Sequence, residues 1–192
     1  MQLAPNPTRT LADFTSAALL LPQLQGRLMS EVMRELSQAL HLENGSMPDI
    51  NHLALKALNY ELLTSTMLNS GAAIPHVSMA SLGRPRFALG RSGEPFTWRA
   101  PAFRPTDLVF LILDSSNPDV ESRQLVCTLH NLGKNHVRLD DLRRAATAND
   151  MLVVLAQTPL VAVSELPPLP LIAAASHYRS DRSPGYNRRW RY

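Results

Sequence analysis

The chain has 192 residues, 45% of them hydrophobic, enough for one ordinary domain with a closed core and some chain to spare. It holds no run of eighteen apolar residues, which excludes a membrane-spanning helix, and its single cysteine, Cys127, excludes an internal disulfide. The net charge of +3 is unevenly placed: the C-terminal segment YRSDRSPGYNRRWRY carries five arginines and one aspartate, so the rest of the chain has a net of −1 and the basic character belongs to the tail.

In chain order, AALLLP (residues 17–22) reads as a buried strand, being brief, apolar and ended by a proline. An amphipathic helix follows, with Leu28, Met29, Val32, Met33, Leu36 and Leu40 at three- and four-residue steps and Asn44-Gly45 as its stop. SMPD opens a second helix, with Ser46 as cap and Pro48 in the first turn; it turns Ile50, Leu53, Ala54 and Leu58 inward and ends near Tyr60. RFALGR (residues 86–91) and DLVFLILD (residues 107–114) read as strands, the second a continuous apolar run suited to a sheet centre, with SGEPFTW between them as a turn and edge strand. A further helix starts at Asn117-Pro118, carries Leu125, Val126, Leu129 and Leu132 inward and stops at Gly133. RLDDLRRAA is another helical piece, and Thr147 with Asp150 forms a capping pair for a last helix ending near Leu155. Strands alternating with helices over residues 8–157 predict one layered α/β domain. Beyond it, LPPLPLIAAAS is proline-rich and non-periodic, an extended segment over the domain or a linker.

The stretch STMLNSGAAIPH (residues 65–76) brings the chain through small residues and a proline to one histidine, His76. A loop with so little side-chain bulk can display an imidazole to solutes; a histidine that merely caps a turn is the plainer alternative. Cys127, within RQLVCTL, is expected as a small buried side chain. His41, His52, His136 and His177 need only surface or capping roles, and no Cys or His pairs recur at metal-ligand spacing, so neither metal nor cofactor is expected. The N-terminus MQLAPNPTRTLADF lacks the pattern of a secretory signal, giving an expectation of a cytoplasmic protein.

The ST of the loop, GAAIPH, DLVFLIL and the TANDMLVVL ending, in this order, resemble the IIA components of the bacterial sugar phosphotransferase system, of the fructose/mannitol and nitrogen-regulatory type. The resemblance covers residues 8–157 and implies a mixed β-sheet flanked by helices, the mannitol-specific IIA fold, with residues 158–192 as a C-terminal extension. It implies that His76 accepts a phosphoryl group from the carrier HPr and passes it to a cysteine on a IIB partner, with Ser65 or Thr66 holding phosphoryl oxygens. The departures are local. The family's arginine sixteen residues before the histidine is Tyr60; its second histidine falls on Ser122, with Arg123 beside it; two loop glycines are Met67 and Asn69. Arg123, Arg84 and Arg86 are candidate replacements for the missing charge, and Ser122 and Arg123 join Ser65 and Thr66 as candidate phosphate contacts. His130 is expected to be too far from the Ser122 position, eight helical residues being about 12 Å along an axis.

Two further readings stand beside the phosphocarrier. One is a non-catalytic interaction module that kept the fold and lost the relay. The other is a tail that binds nucleic acid or an acidic protein surface through arginines interleaved with Tyr178, Tyr186, Trp190 and Tyr192.

Overall fold

The computed structural model describes residues 9–43, 49–79, 82–98, 105–116 and 119–167. In chain order its elements are β1 (Leu20–Leu21), α1 (Met29–Glu43), α2 (Ile50–Leu63), β2 (Ala72–Ala73), β3 (His76–Met79), β4 (Arg86–Thr97), β5 (Pro105–Ser115), α3 (Val120–Leu132), α4 (His136–Arg144) and α5 (Ala148–Ala156). Turns of 3-10 helix occupy Leu11–Phe14, Ala17–Leu19 and Val163–Glu165.

The unbroken apolar run of β5 has a direct cause. Successive strand side chains point to opposite faces, and both faces of β5 are covered. Leu108, Phe110 and Ile112 pack with Leu125 and Leu129 of α3, Leu139 and Leu142 of α4, and Met151 and Leu155 of α5. Val109, Leu111 and Leu113 pack with Val32, Met33, Leu36 and Leu40 of α1 and with Leu53 and Ala57 of α2. The sheet is therefore a middle layer between two helical ones, as the alternation of elements predicts.

Strand order is β1-β4-β5-β2, with β3 also on β5. β4 runs antiparallel to β5, whereas β1 pairs β4, and β2 and β3 pair β5, in parallel. Ala72 lies opposite Leu108 and His76 opposite Ile112, the same offset, so β2 and β3 are one strand interrupted at Ile74-Pro75. Pro75 has no N–H to donate, yet its carbonyl accepts from the Ile112 amide at 2.8 Å and keeps the register. That interrupted edge strand delivers His76 to the sheet.

The helix starts carry their signals. Thr147 and Asp150 form a reciprocal capping box on α5, the Asp119 side chain accepts from the Ser122 amide on α3, and Asn135 does the same for Arg138 on α4. The predicted helix starts at Ser46-Pro48 and Asn117-Pro118 lie outside the described residues, where the caps seen are Asp49 and Asp119. α2 runs on to Leu63 rather than ending near Tyr60, and α5 to Ala156 rather than Leu155.

Residues 17–22 differ more from expectation. They form a 3-10 turn, closed by Leu19 N–H to the Ser16 carbonyl, and then a strand of only two residues. The turn buries Leu19 against α1, and Pro22 ends the pairing with Leu89 and Gly90. SGEPFTW does not turn back; β4 continues through it with a register shift between Arg91 and Phe96. The shifted strand buries Phe96 and Trp98 in the α1/α2 core, where a simple surface turn would leave both rings in water. The arginine-aromatic tail lies outside the described residues, as do all but the first two residues of the proline-rich segment.

Candidate functional site

The loop before His76 is organised by Glu61, a fully buried carboxyl on the last turn of α2. Its Oε1 accepts from Trp98 Nε1 at 2.8 Å, from the Thr66 amide at 2.9 Å and from Ser65 Oγ at 3.3 Å; its Oε2 accepts from Thr66 Oγ1 at 2.7 Å. Thr66 Oγ1 in turn accepts from the Ile74 amide at 3.1 Å, tying the start of the loop to its end. The tip closes through Leu68 N–H to the Ala72 carbonyl, at 2.7 Å, with Gly71 at φ 86°. That left-handed conformation suits glycine, and a Cβ there would lie 3.2 Å from the Pro105 carbonyl oxygen and 3.3 Å from both Arg143 and Asp107. Arg143 clamps the tip from α4, bonding Asp107 and the Ser70 carbonyl.

Beyond this loop His76 opens β3 with its side chain 24% exposed. It lines a cavity of about 640 Å³, whose wall also includes Tyr60, Asp114, Cys127, His130 and Lys134. The Tyr60 and His76 rings stand 6.3 Å apart, centroid to centroid. His76 Nε2 is buried and lies 3.5 Å from Oδ2 of Asp114, too long and misaligned to count as a hydrogen bond. Asp114 is 1% exposed, and its other oxygen, Oδ1, accepts from Ser122 Oγ and from the Ser115 amide. Burial holds the His130 ring below the usual histidine range, helped by the Lys134 charge and by His76. Burial also pushes the Cys127 thiol and the Tyr60 hydroxyl up, so both are protonated at neutral pH. Among the described residues lining the cavity, Lys134 alone is a lysine or arginine.

The residues singled out from the sequence are distributed as follows. His76, Ser65 and Thr66 line the cavity; Ser122 and Arg123 are not part of its wall. Both hydroxyls of the Ser65-Thr66 pair donate to Glu61, and that of Thr66 is also an acceptor. Ser122 is buried beneath Asp114. Arg123 donates to the Pro167 carbonyl. Arg84 pairs with Glu121 at 3.6 Å and Arg86 with Glu43 at 3.0 Å, around a separate small pocket.

Two expectations are corrected. His130 is not beyond reach, because it shares the cavity with His76: α3 packs on the face of β5, and Val126, Cys127, His130 and Asn131 from its C-terminal half line the site. Cys127 is not a closed core residue but half-buried in the same wall. Glu61, Asp114 and Lys134 were missed. Glu61 is the one carboxyl in a mostly apolar helix, and Asp114 ends the most apolar run of the chain, which are the available signals. Past α5 the chain folds back over α3, where Val161 accepts from Gln124 and donates to Thr128 Oγ1, so that Val161, Glu165 and Pro167 close the far side of the cavity. Among the described residues no group of three His, Cys, Asp or Glu is placed to hold a metal ion, and no helix is long and apolar enough to cross a membrane.

Residues 14–158 match the family model described as phosphoenolpyruvate-dependent sugar phosphotransferase system, EIIA 2. Among solved structures, the chain is similar to nitrogen regulatory protein IIA-Ntr from Neisseria meningitidis, with a TM-score of 0.65, 21% identity, and coverage of 76% of this chain and 98% of that one. It is similar to IIA mannitol from Escherichia coli, with a TM-score of 0.60, 18% identity and coverage of 73% and 98%. The IIA mannitol of the Escherichia coli complex with phosphorylated IIB mannitol matches with a TM-score of 0.60, 17% identity and coverage of 74% and 96%. Comparison with curated proteins gives no significant match. At these identities the structural likenesses show the fold.

Proposed function

The chain belongs to the EIIA 2 family of the phosphoenolpyruvate-dependent sugar phosphotransferase system, and we propose that it is a phosphocarrier or regulatory protein of nitrogen-regulatory type, with His76 as its phosphoryl acceptor. The observation that carries this reading is a part-exposed imidazole at the end of a rigidly tied loop, facing a cavity that also holds a second histidine and a lysine.

A neutral imidazole is a competent nucleophile near pH 7 and forms a phosphoramidate reactive enough to transfer again. The donor is a phosphorylated carrier such as HPr. The Lys134 ammonium has no ion pair among the described residues and supplies positive charge for the phosphoryl oxygens. An arriving phosphoryl dianion also offsets the burial that keeps His130 neutral, so a proton taken up by that ring adds a second charge-assisted contact. These two groups come from the C-terminal half of α3 and from the turn after it, in place of the arginine and histidine that Tyr60 and Ser122 replace. Ser65, the more exposed of the two loop hydroxyls, can exchange Glu61 for a phosphoryl oxygen; Thr66, engaged twice, positions the loop. The recipient is a IIB component or a regulatory protein docking over the loop, consistent with the IIA–IIB pairing of the mannitol relative.

Incubation with phosphorylated HPr is expected to leave acid-labile phosphohistidine on the wild type and none on His76→Ala. No label on the wild type, or equal label on the variant, removes the phosphocarrier reading. The second reading, an interaction module without transfer, is favoured by Tyr60 against His76 and by the lack of an arginine among the described residues of the cavity wall. It predicts no label but retained binding of a IIB or regulatory partner.

A further inference from the structure

Past α5 the chain stays with the domain. The Leu160 N–H is pinned to the Arg9 carbonyl, and residues 161–167 then run back over α3 to the rim of the His76 cavity. Val161 donates to Thr128 Oγ1 and accepts from Gln124, and the Pro167 carbonyl accepts from Arg123. Between these anchors Ala162, Val163, Ser164 and Glu165 are all exposed, and among the described residues their hydrogen bonds stay within the strap's own turn. A segment with so little buried area opens at far lower cost than the domain unfolds. It also lies beyond residues 14–158, the part that matches the family model.

The strap engages the charges that the site needs. Arg123, Cys127, His130 and Asn131 follow at four- and three-residue steps on one face of α3, and all but Arg123 line the cavity. Arg123 instead gives its Nη2 to the Pro167 carbonyl, while its Nε is buried without a hydrogen-bond partner. A guanidinium so placed is incompletely satisfied, and leaving a buried N–H unpaired is costly. It stands one turn before Cys127, about 6 Å along the axis, within the length of an arginine side chain. Glu165 is the opposite case, a carboxylate that lines the cavity in which a phosphoryl dianion is to be received. With the strap in place, an acid is in the wall and the neighbouring arginine is held outside it.

We propose that residues 161–167 are an autoinhibitory latch on His76, whose release carries Glu165 away from the cavity and frees Arg123 to turn in and bond the phosphoryl oxygens. The effect on phosphoryl uptake rests on the phosphocarrier reading; the latch over the cavity does not. Release exchanges one negative charge for one positive charge at the site, which is what charge-assisted bonding of a phosphoryl group requires. The coupling is reciprocal. A phosphoryl group on His76 favours the open strap by the same factor by which the closed strap disfavours the phosphoryl group.

The test compares the full chain with single variants by amide hydrogen exchange at Val161 and by phosphoryl uptake on His76. Donors are phosphorylated HPr and phosphoramidate, a small donor that needs no docking; its N–P bond breaks as the bond to the His76 ring forms, and ammonia leaves. Gln124→Ala removes a strap bond and keeps Arg123, so exchange and uptake are both expected to rise about threefold to tenfold. Arg123→Ala also removes a strap bond, so exchange rises, yet uptake is expected to fall about tenfold, with Arg123→Lys recovering part of it. A residue that merely shaped the strap would move both readings together. Glu165→Gln is expected to speed uptake about threefold at low salt and less at high salt, because the carboxylate is exposed. Circular dichroism checks that the variants fold. The inference is overturned by uptake that fails to rise in Gln124→Ala, by uptake that fails to fall in folded Arg123→Ala, or by Val161 exchange unaltered in both. If neither donor labels any of these proteins, the carrier reading falls, and with it the part of Arg123. The latch is then judged on exchange: it stands if Gln124→Ala speeds exchange at Val161 and falls if it does not.

Discussion

Glu61→Ala removes the carboxyl on which α2, the loop before His76 and the end of β4 converge. Four donors lose their acceptor: Trp98 Nε1, the Thr66 amide, Thr66 Oγ1 and Ser65 Oγ. Ser65 is exposed and turns to water at little cost. Trp98 is 1% exposed and Thr66 is half-buried, so these two N–H groups are the ones left short of a partner. At about 1–3 kcal/mol for each donor left unpaired, these two account for about 2–6 kcal/mol. For a domain of this size that lowers the melting temperature by roughly 2–4 °C per kcal/mol, or on the order of 10 °C. Glu61→Gln, which keeps the shape and one oxygen, is expected to lose less than half as much. Urea unfolding with an unchanged slope reads the difference directly, and the same samples are to be scored for His76 phosphorylation, which falls as the loop loosens. A Glu61→Ala protein within about 0.5 kcal/mol of wild type refutes the anchoring role, because surface substitutions cost that little.

Gly71→Ala is expected to destabilise by about 1–2 kcal/mol from the left-handed backbone alone, with more from the 3.2 Å approach to the Pro105 carbonyl; an unchanged denaturation midpoint contradicts the crowding. His130 predicts a pH dependence with a definite sign. Its folded value lies below the ordinary 6.5, so between the two values the unfolded chain binds the extra proton. Stability from this group is therefore full above the ordinary value and declines as pH falls through the folded one. His130→Asn is expected to flatten that decline in melting temperature between about pH 8 and about pH 5; an equally steep loss in the variant counts against burial as its cause.

Local chemistry made much of the scaffold legible from the sequence. The DLVFLILD run specifies a strand covered on both faces, and the Thr147/Asp150 pair specifies a helix start because both halves of its capping box lie within one turn. Where a local signal competes with burial, the sequence reading gave way. SGEPFTW carries turn residues, yet the need to bury Phe96 and Trp98 pulls it into β4. The AALLLP run is apolar enough for a strand, but its first residues coil to place Leu19 against α1.

By itself the sequence determined that a histidine stands at the end of a small-residue loop leading into a sheet, because loop, proline and strand are contiguous and their preferences are short-range. Tertiary structure alone decided what that histidine faces. Asp114 meets it through the parallel register of β3 on β5, with Ser122 of α3 bonded to that carboxylate from below, and Glu61 finds Trp98 only because β4 continues past its apparent turn. His130 and Lys134 reach the cavity for the same reason. Separation along a helix fixes a distance on its axis, whereas the side it turns toward a distant strand is set by packing the whole core.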